Sequence, residues 1–223
     1  MNNRNKKMKR DITLPESISS RIEFKRKFSL REMYRAVVFA PRAMSKLIGN
    51  KKSKIVNENF VKRLQLAVTE VNGCALCSYG HAKMALRQGM GNEEINSFLS
   101  GEGDNFIKIE EAKAIMFAQH FADSRGYPKK YAYDSIVKEY GEEKAQIILS
   151  ATQMMIAGNM YGIPVSAFQS RLKGKPYKDS SLFYELKMQI LGILFLPIAI
   201  AHGFIRGLIG LSNERFDKST DDE

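Results

Sequence analysis

The chain has 223 residues, of which 44% are hydrophobic and 26% charged, as in an ordinary globular protein and unlike a disordered or fibrous one. Lys and Arg number 35 against 24 Asp and Glu, which gives a formal net charge of +11. Such an excess raises non-specific affinity for anionic lipid or nucleic acid, but for most of the chain a solvated basic surface is the preferred interpretation. The first residues are basic but no apolar run follows them, so no secretory signal is visible and a cytoplasmic location is expected.

Helical periodicity dominates the first two thirds of the chain. Residues 1–28 are charged and weakly patterned, and we expect a mobile basic arm there. Ser29 is a candidate N-cap, and apolar residues then recur at helical spacing through residues 29–170, with expected breaks at Pro41 and at Asn72-Gly73. No segment has a convincing strand pattern. The sequence therefore predicts an all-α domain over residues 29–170.

Three further segments follow this domain. Residues 171–181 are expected to form a basic linker, residues 182–212 an apolar C-terminal helical segment, and residues 213–223 a disordered acidic tail. Residues 188–205 carry no formal charge. The length of this uncharged stretch is typical of a membrane span, although Pro197 lies in its middle. A helix that lies in the membrane interface and a helix that packs on a partner subunit are the alternatives. The basic residues favour an anionic membrane surface, here the inner face of the membrane.

Residues 72–81, N-G-C-A-L-C-S-Y-G-H, contain the only two cysteines of the chain and one of its three histidines. Cys74, Cys77 and His81 are spaced by three and four residues, so on a helix they share one face. Asn72-Gly73 should end the preceding helix and place both thiols in the first turn of the next one. Unpaired N–H groups there favour a thiolate, His81 can exchange a proton with it, and the second thiol can close a disulfide.

Other roles for these residues compete with a redox centre. Two cysteines can simply pack in a core, and Cys74, Cys77 and His81 could also supply three zinc ligands. A structural zinc site needs four ligands, and His120 would have to complete it from a distant helix, so we expect no metal. His120 itself lies in an apolar helix and is more typical of a hydrogen-bonded core histidine.

Residues 66–81, L-A-V-T-E-V-N-G-C-A-L-C-S-Y-G-H, with the following A-K-M-A-L-R-Q-G-M-G-N-E-E-I, resemble the signature of the carboxymuconolactone decarboxylase and alkylhydroperoxidase D-like family. The resemblance covers residues 30–170 and implies an alkylhydroperoxidase D-like helical bundle, here with an added apolar C-terminal helix, that forms homo-oligomers. It further implies a thiol peroxidase that needs no cofactor, with a peroxide substrate and a dithiol protein as reductant. Cys77 would attack the peroxide, Cys74 would resolve the product, and His81 would relay a proton.

The chain departs from the family pattern at two positions. Lys62 stands where the peroxidases usually carry a relay glutamate, and Leu76 stands where Tyr or His is common. Glu70 or Glu58, on the helix before the motif, could replace the missing carboxylate.

Three other functions stay open at this point. One is a non-catalytic, membrane-associated adaptor on the same scaffold, and another is the lactone chemistry of the decarboxylase branch, which generally lacks the cysteine pair. The third, nucleic-acid binding, rests on charge alone, because no reading helix or aromatic-interleaved basic patch is recognisable. We therefore expect no nucleic-acid partner.

Overall fold

The computed structural model describes residues 13–217, so parts of the expected basic arm (residues 1–12) and acidic tail (residues 218–223) lie outside the described residues. Across residues 13–217 the regular structure is helical and no β-strand forms, which confirms the all-α prediction. The helices are α1 (Glu16–Ser19), α2 (Leu30–Ser53), α3 (Glu58–Asn72), α4 (Ala75–Arg87), α5 (Asn92–Ser100), α6 (Ile109–Asp123), α7 (Lys130–Tyr140), α8 (Glu142–Leu172) and α9 (Leu182–Leu208), with a 3₁₀ turn at Gly103–Phe106.

Helix α8 is the central element of the bundle. Its first half is apolar nearly all round, and residues such as Ile148, Ala151 and Met155 are buried. Helices α2, α3, α4, α6, α7 and α9 all pack against it. A helix that is apolar nearly all round is typically buried, and α8 is the buried helix of this bundle.

Helix α2 runs through Pro41, where the sequence analysis placed a break. Ser29 caps its start as expected, because the Ser29 hydroxyl accepts the Glu32 N–H and the Glu32 carboxylate accepts the Ser29 N–H. Proline inside a helix costs about 3 kcal/mol. Packing of α2 along both α8 and α9 offsets this cost, and sequence periodicity alone could not reveal that.

The described part of the basic arm is packed on the bundle, contrary to the expected mobile segment. Ile18 and Phe28 are buried, and the Arg26 guanidinium donates to the backbone carbonyls of Val71 and Asp123. The basic linker is anchored too, since Tyr177 is buried and packs edge-on against an aromatic ring of the arm. The prediction of a mobile arm, which rested on charge composition, is wrong for its described residues, because a few apolar side chains within this basic segment anchor it to the bundle.

Helix α9 packs on the bundle through one narrow seam. The seam consists of the buried residues of α9, which are Glu185, Met188, Gly192, Ala199 and Gly203. The Glu185 carboxylate accepts two hydrogen bonds from Arg171, at 2.8 and 2.9 Å. A Cβ on Gly203 would collide with the backbone carbonyl oxygen of Val38, so glycine permits the close approach of α9 to α2.

The rest of the α9 surface is solvent-facing and apolar. Its exposed large hydrophobic residues are Leu182, Phe183, Leu186, Ile190, Ile193, Leu194, Phe195, Leu196, Ile198, Phe204, Ile205 and Leu208. By length and composition this helix could cross a membrane, with a mean hydropathy of 2.0 over its most apolar 18 residues, although buried core helices can pass the same test. Only 22% of that window is buried in the described chain. Helix α9 is thus a largely uncovered apolar surface.

Candidate functional site

Cys74 and Cys77 lie where α3 ends and α4 begins. Gly73 ends α3 in the left-handed conformation, with a φ of 71°, as Asn72-Gly73 predicted. Cys74 is the N-cap of α4, and its Sγ accepts the Cys77 N–H at 3.2 Å. The two sulfurs form a disulfide, with Cα atoms 5.2 Å apart. The expected proximity of the two thiols is therefore confirmed.

The two cysteines differ in their exposure. Cys74 has 0% of its surface exposed, whereas Cys77 is half-buried. The Cys77 Sγ lies 3.8 Å from the carbonyl oxygen of Gly158 on α8. A small molecule can therefore approach Cys77 more easily than Cys74.

A stripe of small residues on α8 receives the start of α4. Gly158, Gly162 and Ser166 are spaced by four and lie on one face of the helix. A Cβ on Gly162 would come within 2.5 Å of both cysteine sulfurs. The Ser166 hydroxyl accepts the Leu76 N–H at 3.1 Å and so satisfies one of the unpaired donors of the first turn of α4.

His81 lies one turn after Cys77 on α4 and lines a cleft of about 490 Å³ that Gly158 also lines. Its Nδ1 atom is buried and has no hydrogen-bond partner within the described chain. Burial, together with the positive charge of Lys62, lowers the pKa of His81 to about 4. The imidazole is consequently neutral at pH 7 and can accept a hydrogen bond or a proton.

Lys62 lies on α3 and lines the same cleft as His81. Its ammonium group donates to the Gln65 side-chain oxygen at 2.9 Å, and burial and the nearby charge of Lys51 lower its pKa. The one carboxylate that lines the cleft, Glu58, is ion-paired with Lys54. The position that carries a relay glutamate in the resembling family therefore contributes a cation here.

The remaining sequence candidates lie elsewhere. The Glu70 carboxylate accepts a hydrogen bond from Lys25 at 2.6 Å and does not line the cleft. His120 accepts the Lys129 N–H at 3.2 Å, so it is hydrogen-bonded as expected, but its side chain is half-buried and does not lie in the core. Among residues 13–217 no three His, Cys, Asp or Glu side chains lie close enough to hold a metal ion.

Gly158, Gly162 and Ser166 are site residues that are absent from the sequence-based candidates. Their spacing in G-N-M-Y-G-I-P-V-S places small residues at every fourth position of a helix, which is a signal of close helix packing. That signal does not identify the partner, because the meeting of α8 with the cysteines is a long-range contact.

Replacing Gly162 with Ala should destabilise the oxidised chain, since the new methyl group would overlap both sulfurs. We expect a loss of about 1–3 kcal/mol in the free energy of unfolding and opening of the disulfide at lower dithiothreitol concentrations. Gly158→Ala is the matched control, because a Cβ there meets nothing within 4 Å and should stabilise α8 by about 0.5–1 kcal/mol. Equal behaviour of the two variants, by urea unfolding and thiol mass labelling, would contradict the packing described.

The His81 imidazole should titrate near pH 4 in the folded chain, against about 6.5 when unfolded. Because the unfolded state binds the proton first, the free energy of unfolding should fall as pH decreases from about 6.5 to about 4. His81→Gln should flatten that part of the pH profile, and Lys62→Met should raise the pKa of His81 in NMR titrations. A wild-type imidazole that titrates at 6.5 would show that the ring is solvated.

No family model matches the chain, and the comparisons with curated proteins and with solved structures gave no match either. The resemblance to the carboxymuconolactone decarboxylase and alkylhydroperoxidase D-like family therefore rests on the sequence of residues 66–95. The geometry adds a disulfide at a helix N-terminus, a half-buried sulfur and a neutral imidazole beside a cleft.

Proposed function

We propose that this protein is a thiol-dependent oxidoreductase with peroxidase-like activity, centred on Cys74 and Cys77. The single observation that carries the proposal is the bonded cysteine pair at the start of α4, with Cys77 half-buried beside a cleft. A helix N-terminus stabilises a thiolate, and the thiolate is the reactive form of cysteine. The resemblance of residues 66–81 to thiol peroxidases points to the same chemistry.

In the proposed reaction the Cys77 thiolate attacks one oxygen of a hydroperoxide and the O–O bond breaks. The departing alkoxide takes a proton and leaves as an alcohol, and Cys77 becomes a sulfenic acid. The Cys74 thiol then attacks the Cys77 sulfur, releases water and closes the disulfide. A dithiol protein reduces this bond by exchange and is itself oxidised, so each peroxide consumes two electrons from that partner.

The roles of the individual residues follow from exposure and charge. Cys77 is the attacking thiol because Cys74 is sealed in the core. His81 is neutral at pH 7, so it can accept the thiol proton, and a neighbouring thiolate would raise its basicity because opposite charges favour the charged form. Lys62 lines the same cleft as His81, and its positive charge acts on that imidazole. Glu70 has no part in this proposal, since Lys25 holds its carboxylate.

Cys77→Ser should abolish peroxide consumption by the reduced chain, measured with a dithiol reductant in excess. Cys74→Ser should retain a single turnover and accumulate a sulfenic acid at Cys77 that a dimedone-type probe labels. Ser78→Ala, a neighbouring change at a buried hydroxyl that bonds only to the Cys74 carbonyl oxygen, is the control and should keep most of the activity. Peroxide consumption by Cys77→Ser at the wild-type rate would exclude this mechanism.

The alternatives give different results in the same assay. A non-catalytic adaptor would show slow thiol alkylation at pH 7 and no disulfide formation with peroxide. Lactone decarboxylation, the chemistry of the other branch of the resembling family, would survive Cys77→Ser.

We further propose that the outward face of α9 attaches the protein to the inner surface of an anionic membrane. The uncovered side chains of α9 form an apolar surface far larger than scattered exposed residues would give. Exposed Lys173, Lys175 and Lys178 precede the helix, and Lys187 lies in its second turn. Each basic residue near an anionic surface contributes about 1 kcal/mol of attraction.

The arginines of α2 favour an orientation in which α9 lies along the membrane surface instead of crossing it. The two helices pack side by side, and α2 carries Arg31, Arg35 and Arg42. A spanning α9 would take these guanidinium groups into hydrocarbon, at a high free-energy cost. An amphipathic position, with the apolar face of α9 in lipid and the bundle in water, avoids that cost.

Co-sedimentation with phosphatidylglycerol vesicles should show binding that weakens with salt and is lost in the double variant Ile193→Asn, Leu194→Asn. Ile109→Asn with Met116→Asn, which changes two exposed apolar residues on α6, is the matched control and should still bind. A second copy of the chain is the other occupant that would cover α9, in keeping with the expected homo-oligomer. If light scattering shows a stable dimer and that dimer does not bind vesicles, a second copy of the chain covers α9 and the membrane proposal is wrong.

A further inference from the structure

Four methionines line the cleft beside His81 and make it an adaptable apolar site. We call this site the methionine cleft. Its methionines come from α2, α4 and α8 and are Met44, Met84, Met154 and Met155, and its apolar wall also includes Leu47, Ile48 and Val61. Its volume of about 490 Å³ lies within the range of about 300–1,000 Å³ typical of small-molecule sites. Methionine side chains adjust readily to flexible apolar ligands.

The charges of the methionine cleft are strongly unbalanced. Lys51, Lys62 and Arg87 line it, against the single carboxylate of Glu58, which Lys54 already neutralises. Lys62 is half-buried, and its hydrogen bond is to the neutral amide of Gln65. Burial and Lys51 disfavour its charged form and lower its pKa, although Glu58 acts in the opposite direction, so a bound anion would relieve an existing electrostatic cost.

We propose that the methionine cleft binds a single-chain lipid anion, such as a fatty acid, with its carboxylate at Lys51 and Lys62 and its chain against the methionines. An apolar wall with a few converging cations matches an apolar chain that ends in one negative group. His81, which also lines the cleft, adds a neutral imidazole to its wall beside these cations. This binding does not require the redox chemistry proposed above.

The binding also assigns a substrate class, and this part rests on the proposed function. Gly158 lines the methionine cleft, and its carbonyl oxygen lies 3.8 Å from the Cys77 sulfur. A chain held there would bring a hydroperoxide group along its length to Gly158, next to Cys77. The preferred peroxide would then be a fatty-acid hydroperoxide, which becomes the hydroxy acid as the two thiols become the disulfide and one water leaves.

The test titrates the oxidised chain with 11-(dansylamino)undecanoic acid and with its methyl ester and follows dansyl fluorescence. The acid should bind saturably and at least about tenfold more tightly than the ester, since an ion pair in a partly buried site is worth at least that factor. Lys62→Met should remove this preference and leave ester binding unchanged. Lys46→Met, an exposed lysine of α2 outside the cleft, is the matched control and should bind like the wild type.

Two further variants separate the cleft from other apolar surfaces. Met84→Glu, at a side chain that is 39% exposed, should weaken binding of both probes because it adds a carboxylate to the cleft. The α9 variant Ile193→Asn, Leu194→Asn should bind both normally, and circular dichroism should confirm that every variant is folded. Equal affinity for acid and ester in the wild type, equal effects of Lys62→Met and Lys46→Met, or loss of binding in the α9 variant would each overturn the inference.

The binding and redox proposals can fail separately. Normal acid binding with no peroxide consumption would reject the redox function and keep the lipid site. Peroxide consumption with no saturable acid binding would reject the lipid site and keep the redox function. A wild-type chain that consumes hydrogen peroxide and a fatty-acid hydroperoxide at the same rate would reject the substrate class alone.

Discussion

The contact between the small-residue stripe of α8 and the first turn of α4 is the constraint on which the candidate site depends. Gly162 leaves room for two bonded sulfurs, and Ser166 accepts a backbone N–H that would otherwise be unpaired. Gly158 leaves its carbonyl oxygen beside the half-buried sulfur. A larger side chain at Gly162 would push α4 away from α8, and the cysteines would move with it.

That contact also explains why the site combines a sealed and an accessible sulfur. Cys74, as the N-cap, points into the core formed by α3 and α8, whereas Cys77 lies one turn further along α4 and reaches the edge of the bundle. His81 follows Cys77 by four residues, about one further turn of α4, and lines the methionine cleft. One short helix thereby connects the core, the disulfide and the cleft.

Local patterns predicted the parts of this arrangement that local forces determine. Periodicity gave the helices, Asn72-Gly73 gave the end of α3, and the three- and four-residue spacings placed Cys74, Cys77 and His81 on one face. Pro41 was misread because its cost is offset by two neighbouring helices, and the arm was misread because Ile18 and Phe28 find a distant core. The environment of Lys62 and the role of Gly162 depend on contacts between α3, α4 and α8, which no single segment specifies.

Pro197 has a consequence for how deeply α9 can enter lipid. A proline has no N–H, so the carbonyl oxygen of Ile193, one turn earlier, lacks its helical donor, and both residues are exposed. An unpaired carbonyl is costly in hydrocarbon but is easily hydrated among lipid headgroups. In the proposed membrane-bound state, hydration of this one carbonyl would keep the middle of α9 near the headgroups, while the apolar side chains around it enter the acyl region.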